Sequence, residues 1–283
     1  MNLILSGVVQ SLSLLPLVLG IYISYRVLKI TDLTVDGTYV LGAAIFAKTI
    51  PLGVIPAMLL GILGGMVIGS AVSHMQRNNR ISGLVAGILA SFMLYSVNLH
   101  VLGRPNISLL EHPTLSSLLS FDDDNWIVPL GILGSLLILM LTGLLNSSLG
   151  LNLRAFGYHQ PLLQMLSKPT ERYRMFGLAL SNGLAALSGA LTAQMNGFAD
   201  INMGFGVALI SIGAVVIGGH ILLTPAQSFS AVKALTSCLL GILLYFFCLN
   251  GLLHVGMNPL NLKLALGGLL FFSLQRRQTG SQT

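Results

Sequence analysis

Charged side chains are scarce in this sequence: 14 are Lys or Arg and 8 are Asp or Glu, which is 8% of 283 residues. An ordinary soluble domain carries about 25%, whereas 54% of this chain is hydrophobic. Because so few charges cannot cover a soluble fold of this length, the lipid bilayer must be the solvent for most of its surface. The composition excludes an ordinary soluble protein and predicts a polytopic membrane protein.

The sequence also lacks the motifs of metal, redox and nucleotide sites. Its two cysteines, Cys238 and Cys248, lie in one apolar run, about 15 Å apart along a helix, so they cannot form a disulfide with each other there. The six histidines are scattered without metal-site spacing, and no Gly-rich phosphate loop ends in Lys-Ser or Lys-Thr. We therefore predict no catalytic residues, no metal and no cofactor in this chain, and any ATP would be bound by a separate partner subunit.

Nine apolar runs predict an all-α, polytopic transmembrane helical bundle with about 9 spans, in a range of 8–10. The runs are residues 3–23, 33–47, 52–72, 83–99, 127–145, 175–195, 207–221, 229–249 and 262–272. Several are shorter than the roughly 20 residues that cross a bilayer unaided. Two interpretations stay open for the short runs: broken or re-entrant helices beside a translocation path, or helices that are merely short or tilted.

The formal charge of +6 lies in short basic patches between the apolar runs, which indicates membrane topology and not nucleic-acid binding. If the basic loops are cytoplasmic, the N-terminus is outside and the C-terminus is cytoplasmic. We predict one membrane domain, residues 1–283, with an outer loop at 100–125 and a cytoplasmic loop at 146–174. The first run has no basic leader and no cleavage site, so we expect a retained helix. The basic residues on which this orientation rests are Arg26, Lys29, Arg77, Arg80, Arg154, Lys168, Arg172, Arg174, Arg276 and Arg277.

The second run begins with the polar segment DLTVDGTY, residues 32–39. Asp32 and Asp36 are four residues apart, which would place both carboxylates on one helical face. Acidic groups near hydrocarbon are costly and usually functional. They could cap the helix, pair with Arg26 or Lys29, or relay a proton or cation. We predict that they form an inner polar cluster and, with Tyr39, belong to a translocation path.

The sixth run and the segment after it supply further candidates for that path. Small residues spaced by three or four in 181–190 predict close helix packing, and whether Asn182 and Gln194 touch a substrate stays open. Asn196, Asp200 and Asn202 follow, among glycines that permit tight turns. These polar groups could line an outer vestibule, or they could form an ordinary outer turn with Asx caps.

The loop 150–174 is amphipathic, because leucines alternate with polar residues until Pro169. This pattern predicts a short helix, roughly 159–168, that lies along the membrane surface and docks a partner. The alternative is a plain basic loop. Our candidate coupling residues are Arg154, Gly157, His159, Leu162, Leu163, Leu166 and Lys168.

Three motifs in this order resemble the permeases of branched-chain amino acid and ribose-type ABC importers, and a smaller branch among them. They are DLTVDG at 32–37, GLALSNGLAALSGAL at 177–191 and GFADINMG at 197–204, and the similarity covers nearly the whole chain. The resemblance implies two permease copies in the lipids of the bacterial inner membrane. It implies a cytoplasmic ABC ATPase subunit docked at residues 154–174, and a periplasmic or lipid-anchored substrate-binding protein. It also implies import of an amino acid, aromatic or branched-chain, by alternating access.

The main rival is an ion-coupled secondary transporter. It would use Asp32, Asp36 or Asp200 as its coupling group and would need no ATPase subunit.

Overall fold

A computed structural model describes residues 3–77, 81–110, 112–118, 126–222 and 230–254, together with Gly256 and Gly268. In these ranges the chain is almost entirely helical. The elements are α1 Leu3–Ile21, a π-helix Tyr22–Val27, α2 Val35–Thr49, a 3-10 turn Ile50–Leu52, α3 Val54–Met75, α4 Gly83–Leu102, β1 Asn106–Ser108, α5 Leu115–Leu118, α6 Ile127–Asn146, α7 Ser148–Tyr158, α8 Gln160–Met165, α9 Thr170–Asn196, β2 Phe198–Asp200, α10 Val207–Leu222 and α11 Ala231–His254.

Six helical segments are long and apolar enough to cross a membrane: Ile4–Val27, Val54–Met75, Gly83–Leu102, Ile127–Asn146, Thr170–Asn196 and Ala231–His254. The predicted multi-pass helical bundle is therefore confirmed, but the count of about nine spans is not. The runs at 33–47 and 207–221 form α2 and α10, of 15 and 16 residues. Their length, about 22–24 Å, is less than the hydrocarbon core of about 30 Å. The run at 262–272 lies outside the described residues, apart from Gly268.

Helix α9 is the centre of the bundle and packs on α1, α2 and α3 through small residues. Gly42 of α2 lies against the backbone of Ala186, and Gly189 lies against the carbonyl of Tyr39, with no room for a Cβ at either glycine. Gly65 of α3 packs on the carbonyl of Asn182 and also has no room for a Cβ. The predicted packing surface in α9 is confirmed, because removing side chains lets helices in lipid approach closely.

The chain leaves the π-helix and runs without regular structure from residue 28 to residue 34 before α2 begins. Lys29 adopts a left-handed conformation here, with φ of 56°. Helix α4 braces the start of α2: Ser91 Oγ donates to the Leu33 carbonyl at 2.8 Å, and Asn98 Nδ2 donates to the Gly37 carbonyl at 2.9 Å. Backbone groups away from water need hydrogen-bond partners, and α4 supplies them to the irregular segment 28–34 and to the first turn of α2.

The two ends of the bundle differ in character. At one, which we call the basic end, Lys29 lies over the Tyr158 ring and Arg174 donates to the Gln76 carbonyl. At the other, the sheet end, β1 and β2 pair antiparallel, with Asn106 opposite Asp200. The described parts of the loops 146–174 and 100–125 therefore lie at different ends. The four acidic residues of the second loop, Glu111 and Asp122 to Asp124, lie outside the described residues.

The prediction of an all-α fold overlooked these two strands. Each has three residues, and they come from segments far apart in the sequence. So short a strand shows no usable alternation of polar and apolar residues.

Candidate functional site

Three polar side chains meet inside the bundle, and we call them the Asp32 cluster: Asp32, Thr38 and Asn182. Asn182 Nδ2 donates to Asp32 Oδ2 at 2.8 Å, and Thr38 Oγ1 donates to Asn182 Oδ1 at 2.6 Å. Their exposed fractions are 1%, 0% and 0%. Hydrogen bonding offsets the desolvation cost of buried polar groups, so this cluster ties the start of α2 to the middle of α9.

The two carboxylates of the DLTVDG motif have separate partners. Asp32 precedes α2, which begins at Val35, and its Oδ1 accepts from the Thr34 backbone N–H at 2.9 Å. The prediction that Asp32 and Asp36 share one helical face is therefore wrong, because only Asp36 is helical. Asp32 contacts α9, whereas Asp36 contacts the start of α10, so they do not form one inner polar cluster.

Asp36 joins the starts of the two short helices. Its Oδ1 accepts from the Ala208 N–H at 2.7 Å, and its Oδ2 accepts from the Gly206 N–H at 3.3 Å. A carboxylate is favourable at a helix N-terminus, where N–H groups have no partner within the helix. Gly204 packs directly on the Asp36 carbonyl, where a Cβ would not fit. The half-buried Asp36 thus caps α10 from another part of the chain.

The remaining path candidates lie elsewhere. At the sheet end, Asp200 Oδ2 accepts from Asn106 Nδ2 at 3.1 Å, and Oδ1 accepts from the Asn202 N–H at 2.7 Å. Asn196 and Asn202 are exposed. Gln194 is buried, and its Oε1 accepts from the Leu115 N–H at 2.9 Å.

Tyr39 is 2% exposed and packs in the apolar core where α2 crosses α9. The path residues predicted from the sequence therefore occupy several places in the bundle and not one pocket.

The loop at the basic end contains two helices. The predicted surface helix is shorter than expected, Gln160–Met165, and α7 before it was not predicted. Helix α7 begins at Ser148, where the Ser147 hydroxyl accepts from the Gly150 N–H as an N-cap. An 11-residue helix with mixed polarity resembles an ordinary loop by hydropathy, and so the sequence prediction overlooked it.

The coupling candidates have different surroundings in this loop. Leu163 is buried, Leu166 is 59% exposed and His159 is exposed, whereas Arg154 is half-buried. Gly157 packs on the Val27 carbonyl with no room for a Cβ. Lys168 Nζ donates to Asn152 Oδ1 at 2.8 Å. The side chain of Leu162 lies outside what the structure describes.

Some residues with clear structural roles were not among the predicted sites. Thr38 completes the Asp32 cluster, and Ser91 and Asn98 of α4 brace the start of α2. Ser91 and Asn98 are polar residues seven positions apart in an apolar span, which places them on one helical face. That spacing was the available signal.

Arg174 is another overlooked residue, because a basic residue beside a predicted membrane span suggested only topology. It is 5% exposed, its NH1 donates to the Gln76 carbonyl at 2.6 Å, and it pairs with Glu171 at 3.3 Å. Its guanidinium also lies 5.6 Å from the centre of the Phe156 ring. Arg174 thereby connects the start of α9 to the ends of α7 and α3. Among the described residues, no group of three or more His, Cys, Asp or Glu side chains is placed to hold a metal.

One protein family and two relatives match this chain over nearly its whole length. Residues 3–274 match the family described as the branched-chain amino acid transport system permease component. An uncharacterised protein of Rickettsia prowazekii (strain Madrid E) is 60% identical over 274 residues, which is 97% of either chain.

A tyrosine transport system permease protein of Clostridioides difficile (strain R20291) is 34% identical over 92% of this chain and 86% of its own. The autoinducer 2 import system permease LsrC of Yersinia pseudotuberculosis (serotype O:1b, strain IP 31758) is 30% identical over 59% of this chain and 46% of its own.

Proposed function

This chain belongs to the family of permease components of branched-chain amino acid transport systems, and from that premise we propose that it is the membrane-spanning subunit of an ATP-driven amino-acid importer. The cargo is an aromatic or branched-chain amino acid, and the tyrosine transport permease among its relatives supports this class. A separate ATPase subunit hydrolyses ATP, and a periplasmic or lipid-anchored binding protein delivers the cargo. Two copies of the chain enclose the path.

The observation that carries this proposal is the exposed apolar surface of the loop at the basic end. Tyr158 is 73% exposed, Met165 is 82% exposed and Leu166 is 59% exposed. These large side chains sit beside polar and basic residues at the surface of a loop, which is typical of a protein-docking site. The ATPase subunit docks on this surface.

The same loop is attached to the bundle in ways that can transmit movement. Gly157 packs on the carbonyl of Val27 at the end of the π-helix. Arg174, at the start of α9, lies against Phe156 of α7 and is bonded to Gln76 at the end of α3. A displacement of the loop therefore acts on α1, α3 and α9 together. ATP binding and release need only favour different arrangements of these helices.

The basic end faces the cytoplasm in this proposal, following the positive-inside rule. The N-terminus is then outside, the C-terminus is cytoplasmic, and the protein spans the bacterial inner membrane. Asn196, Asp200 and Asn202 at the sheet end form the outer vestibule. The starts of α2 and α10 meet at Asp36 along the path, as in transporters whose broken helices border the binding site.

One observation favours the rival ion-coupled transporter. Asp32 is buried inside the bundle, and Asp36 is half-buried beside α10. Intramembrane carboxyl groups of this kind are common in ion and proton pathways. In this protein both groups accept hydrogen bonds that fix backbone or side-chain geometry, which is sufficient reason for their presence without an ion.

The docking role is tested by co-purification with the ATPase subunit. Leu166→Glu places a charge in the exposed apolar surface of the loop. We expect it to abolish recovery of the ATPase in detergent, and to abolish ATPase stimulation by the binding protein in nanodiscs. For recovery of the ATPase the matched control is Leu110→Glu, because Leu110 is 81% exposed but lies at the sheet end. Equal recovery of the ATPase with both variants would contradict docking at this loop.

A further inference from the structure

A second feature of the basic end is a pocket of about 490 Å³, which we call the anion pocket. It lies between the end of α3 and the starts of α4 and α9. Its polar lining includes Lys29, Gln76, Ser82, Gln160 and Arg174. The volume is within the range of small-molecule sites, about 300–1,000 Å³. None of these residues belongs to the Asp32 cluster or to the proposed path.

The lining of the anion pocket is electropositive. Lys29 is exposed and its ammonium lies 3.8 Å from the centre of the Tyr158 ring. Arg174 adds a second, buried cation, whose guanidinium is oriented by the Gln76 carbonyl. The aromatic ring and the carbonyl orient the two cations and carry no opposite charge. Glu171 pairs with Arg174 at 3.3 Å and offsets part of its charge, so Lys29 is the main cation of the pocket.

The first turn of α4 adds backbone donors to the same pocket. Ser82 is the N-cap, and its hydroxyl accepts from the Val85 N–H at 3.4 Å. The Ala86 N–H bonds to the Ser82 carbonyl. Gly83 and Leu84, which line the pocket, precede the first N–H that can bond within a helix. A helix N-terminus of this kind favours an anion.

An independent observation also points to a ligand. Gln76 is 4% exposed, and its Nε2 is buried without a hydrogen-bond partner among the residues that the structure describes. Buried amide donors are nearly always satisfied, and leaving one unsatisfied reduces stability. Because Gln76 lines the pocket, an oxyanion bound there would supply an acceptor for this amide.

The surroundings of the pocket favour a lipid over a soluble anion. Ile30, Ile81 and Leu84 supply its apolar lining. Leu84 is 47% exposed and Ile88 is 39% exposed, and they are four residues apart on one face of the membrane-length helix α4. A hydrocarbon chain could follow this face directly from the pocket.

We propose that the anion pocket binds the phosphate group of an anionic phospholipid, whose acyl chain lies along Leu84 and Ile88 of α4. The phosphate contacts the Lys29 ammonium, the Arg174 guanidinium, the first N–H groups of α4 and the Gln76 amide. Basic pockets between membrane helices are known to suit anionic headgroups. This inference does not depend on the proposed transport function.

The test uses the purified full-length chain in detergent with equal amounts of phosphatidylglycerol and phosphatidylcholine. Native mass spectrometry measures which lipid is retained, and thermal unfolding measures the stabilisation by each. We expect preferential retention of phosphatidylglycerol. Lys29→Gln should weaken this retention about fivefold, the effect of one basic residue near an anionic lipid, and Lys29→Arg should restore it.

Lys168→Gln is the matched control. It removes the same charge at the same end, but Lys168 bonds to Asn152 and does not line the pocket. An equal loss with both variants would show only general attraction to anionic lipid and would overturn the proposal.

Two further measurements separate the remaining outcomes. Gln76→Met, which removes the unpartnered donor, should reduce phosphatidylglycerol retention while the lipid-free protein unfolds at an unchanged or higher temperature. If one of the variants Lys29→Gln and Gln76→Met does not fold, the other, compared with Lys168→Gln, still decides whether the lipid binds at the pocket. If inorganic phosphate displaces phosphatidylglycerol and stabilises the chain equally, the pocket is assigned to a soluble anion. Either that result or equal stabilisation by both lipids would overturn the proposal.

Discussion

Replacing Asn182 by leucine tests whether the Asp32 cluster holds the broken start of α2 against α9. The substitution removes the donor 2.8 Å from Asp32 Oδ2 and the acceptor 2.6 Å from Thr38 Oγ1. Thr38 can turn its hydroxyl to the Thr34 carbonyl at 2.8 Å, but Asp32 Oδ2 loses its partner in a site that water does not reach. We expect the free energy of unfolding to fall by about 2–3 kcal/mol, the cost of an orphaned buried acceptor plus a lost hydrogen bond.

Thermal unfolding of the detergent-solubilised protein measures this loss. A change of 1 kcal/mol shifts the midpoint by about 2–4 °C in a chain of this order of length, so we expect Asn182→Leu to lower it by roughly 4–12 °C. Asn196→Leu is the matched control on the same helix, because Asn196 is exposed. A surface substitution of this kind should change stability by less than about 0.5 kcal/mol.

Equal midpoints for the two leucine variants would refute this reasoning, because the hydrogen bonds of Asn182 would then contribute nothing. A double-mutant cycle with Asp32→Ala adds a second criterion. The two changes remove the same interaction. The loss of stability in the double variant should therefore be smaller than the sum of the two single losses by about 1–2 kcal/mol. Additive losses would mean that the two side chains act independently.

Three other substitutions test separate features. Gly42→Ala should destabilise the protein by about 1–3 kcal/mol in thermal unfolding, because the new methyl group meets the backbone of α9. The control Gly131→Ala should be neutral or stabilising, because Gly131 has open space around it. Equal effects of the two substitutions would contradict close packing of α2 on α9. Asp36→Leu should lower the free energy of unfolding by about 1–2 kcal/mol, because it removes the cap of α10. Asp36→Asn should retain part of the capping, so equal unfolding midpoints for the two variants would argue against capping. Asp200→Ala should change stability by less than about 1 kcal/mol, because the bonds that it removes, to Asn106 and to the Asn202 N–H, are both exposed. It should nevertheless reduce stimulation of ATP hydrolysis by the binding protein, and unchanged stimulation would exclude Asp200 from the outer vestibule.

Hydropathy was sufficient to predict the long spans, because 18 or more apolar residues have few other stable arrangements in a protein. The two short helices were also recognisable, since residues 33–47 and 207–221 are apolar but too short to cross a bilayer. Sequence could not show where these helices begin or what they contact. Asp32 and Asp36 are spaced as if on one helical face, but the helix begins between them at Val35.

Contacts between distant parts of the chain explain most of the remaining differences between the sequence prediction and the structure. The Asp32 cluster joins residues 150 positions apart, and Asp36 caps α10 from 172 positions away. Neither contact leaves a local pattern in the sequence. The sequence nevertheless indicated Asn182 and the glycines of the GFADINMG segment as candidates, because polar or flexible residues are unusual at the centre or end of an apolar run.

Uptake by reconstituted vesicles tests the central claim most directly. The chain is reconstituted into liposomes with its ATPase subunit and binding protein, and accumulation of radiolabelled tyrosine, leucine and tryptophan is measured with ATP supplied to the ATPase side. An ATP-driven importer accumulates at least one of these amino acids only when ATP is present, and continues to do so after ionophores collapse all ion gradients. Accumulation by the chain alone, driven by an ion gradient and abolished by ionophores, would contradict the importer and identify a secondary transporter.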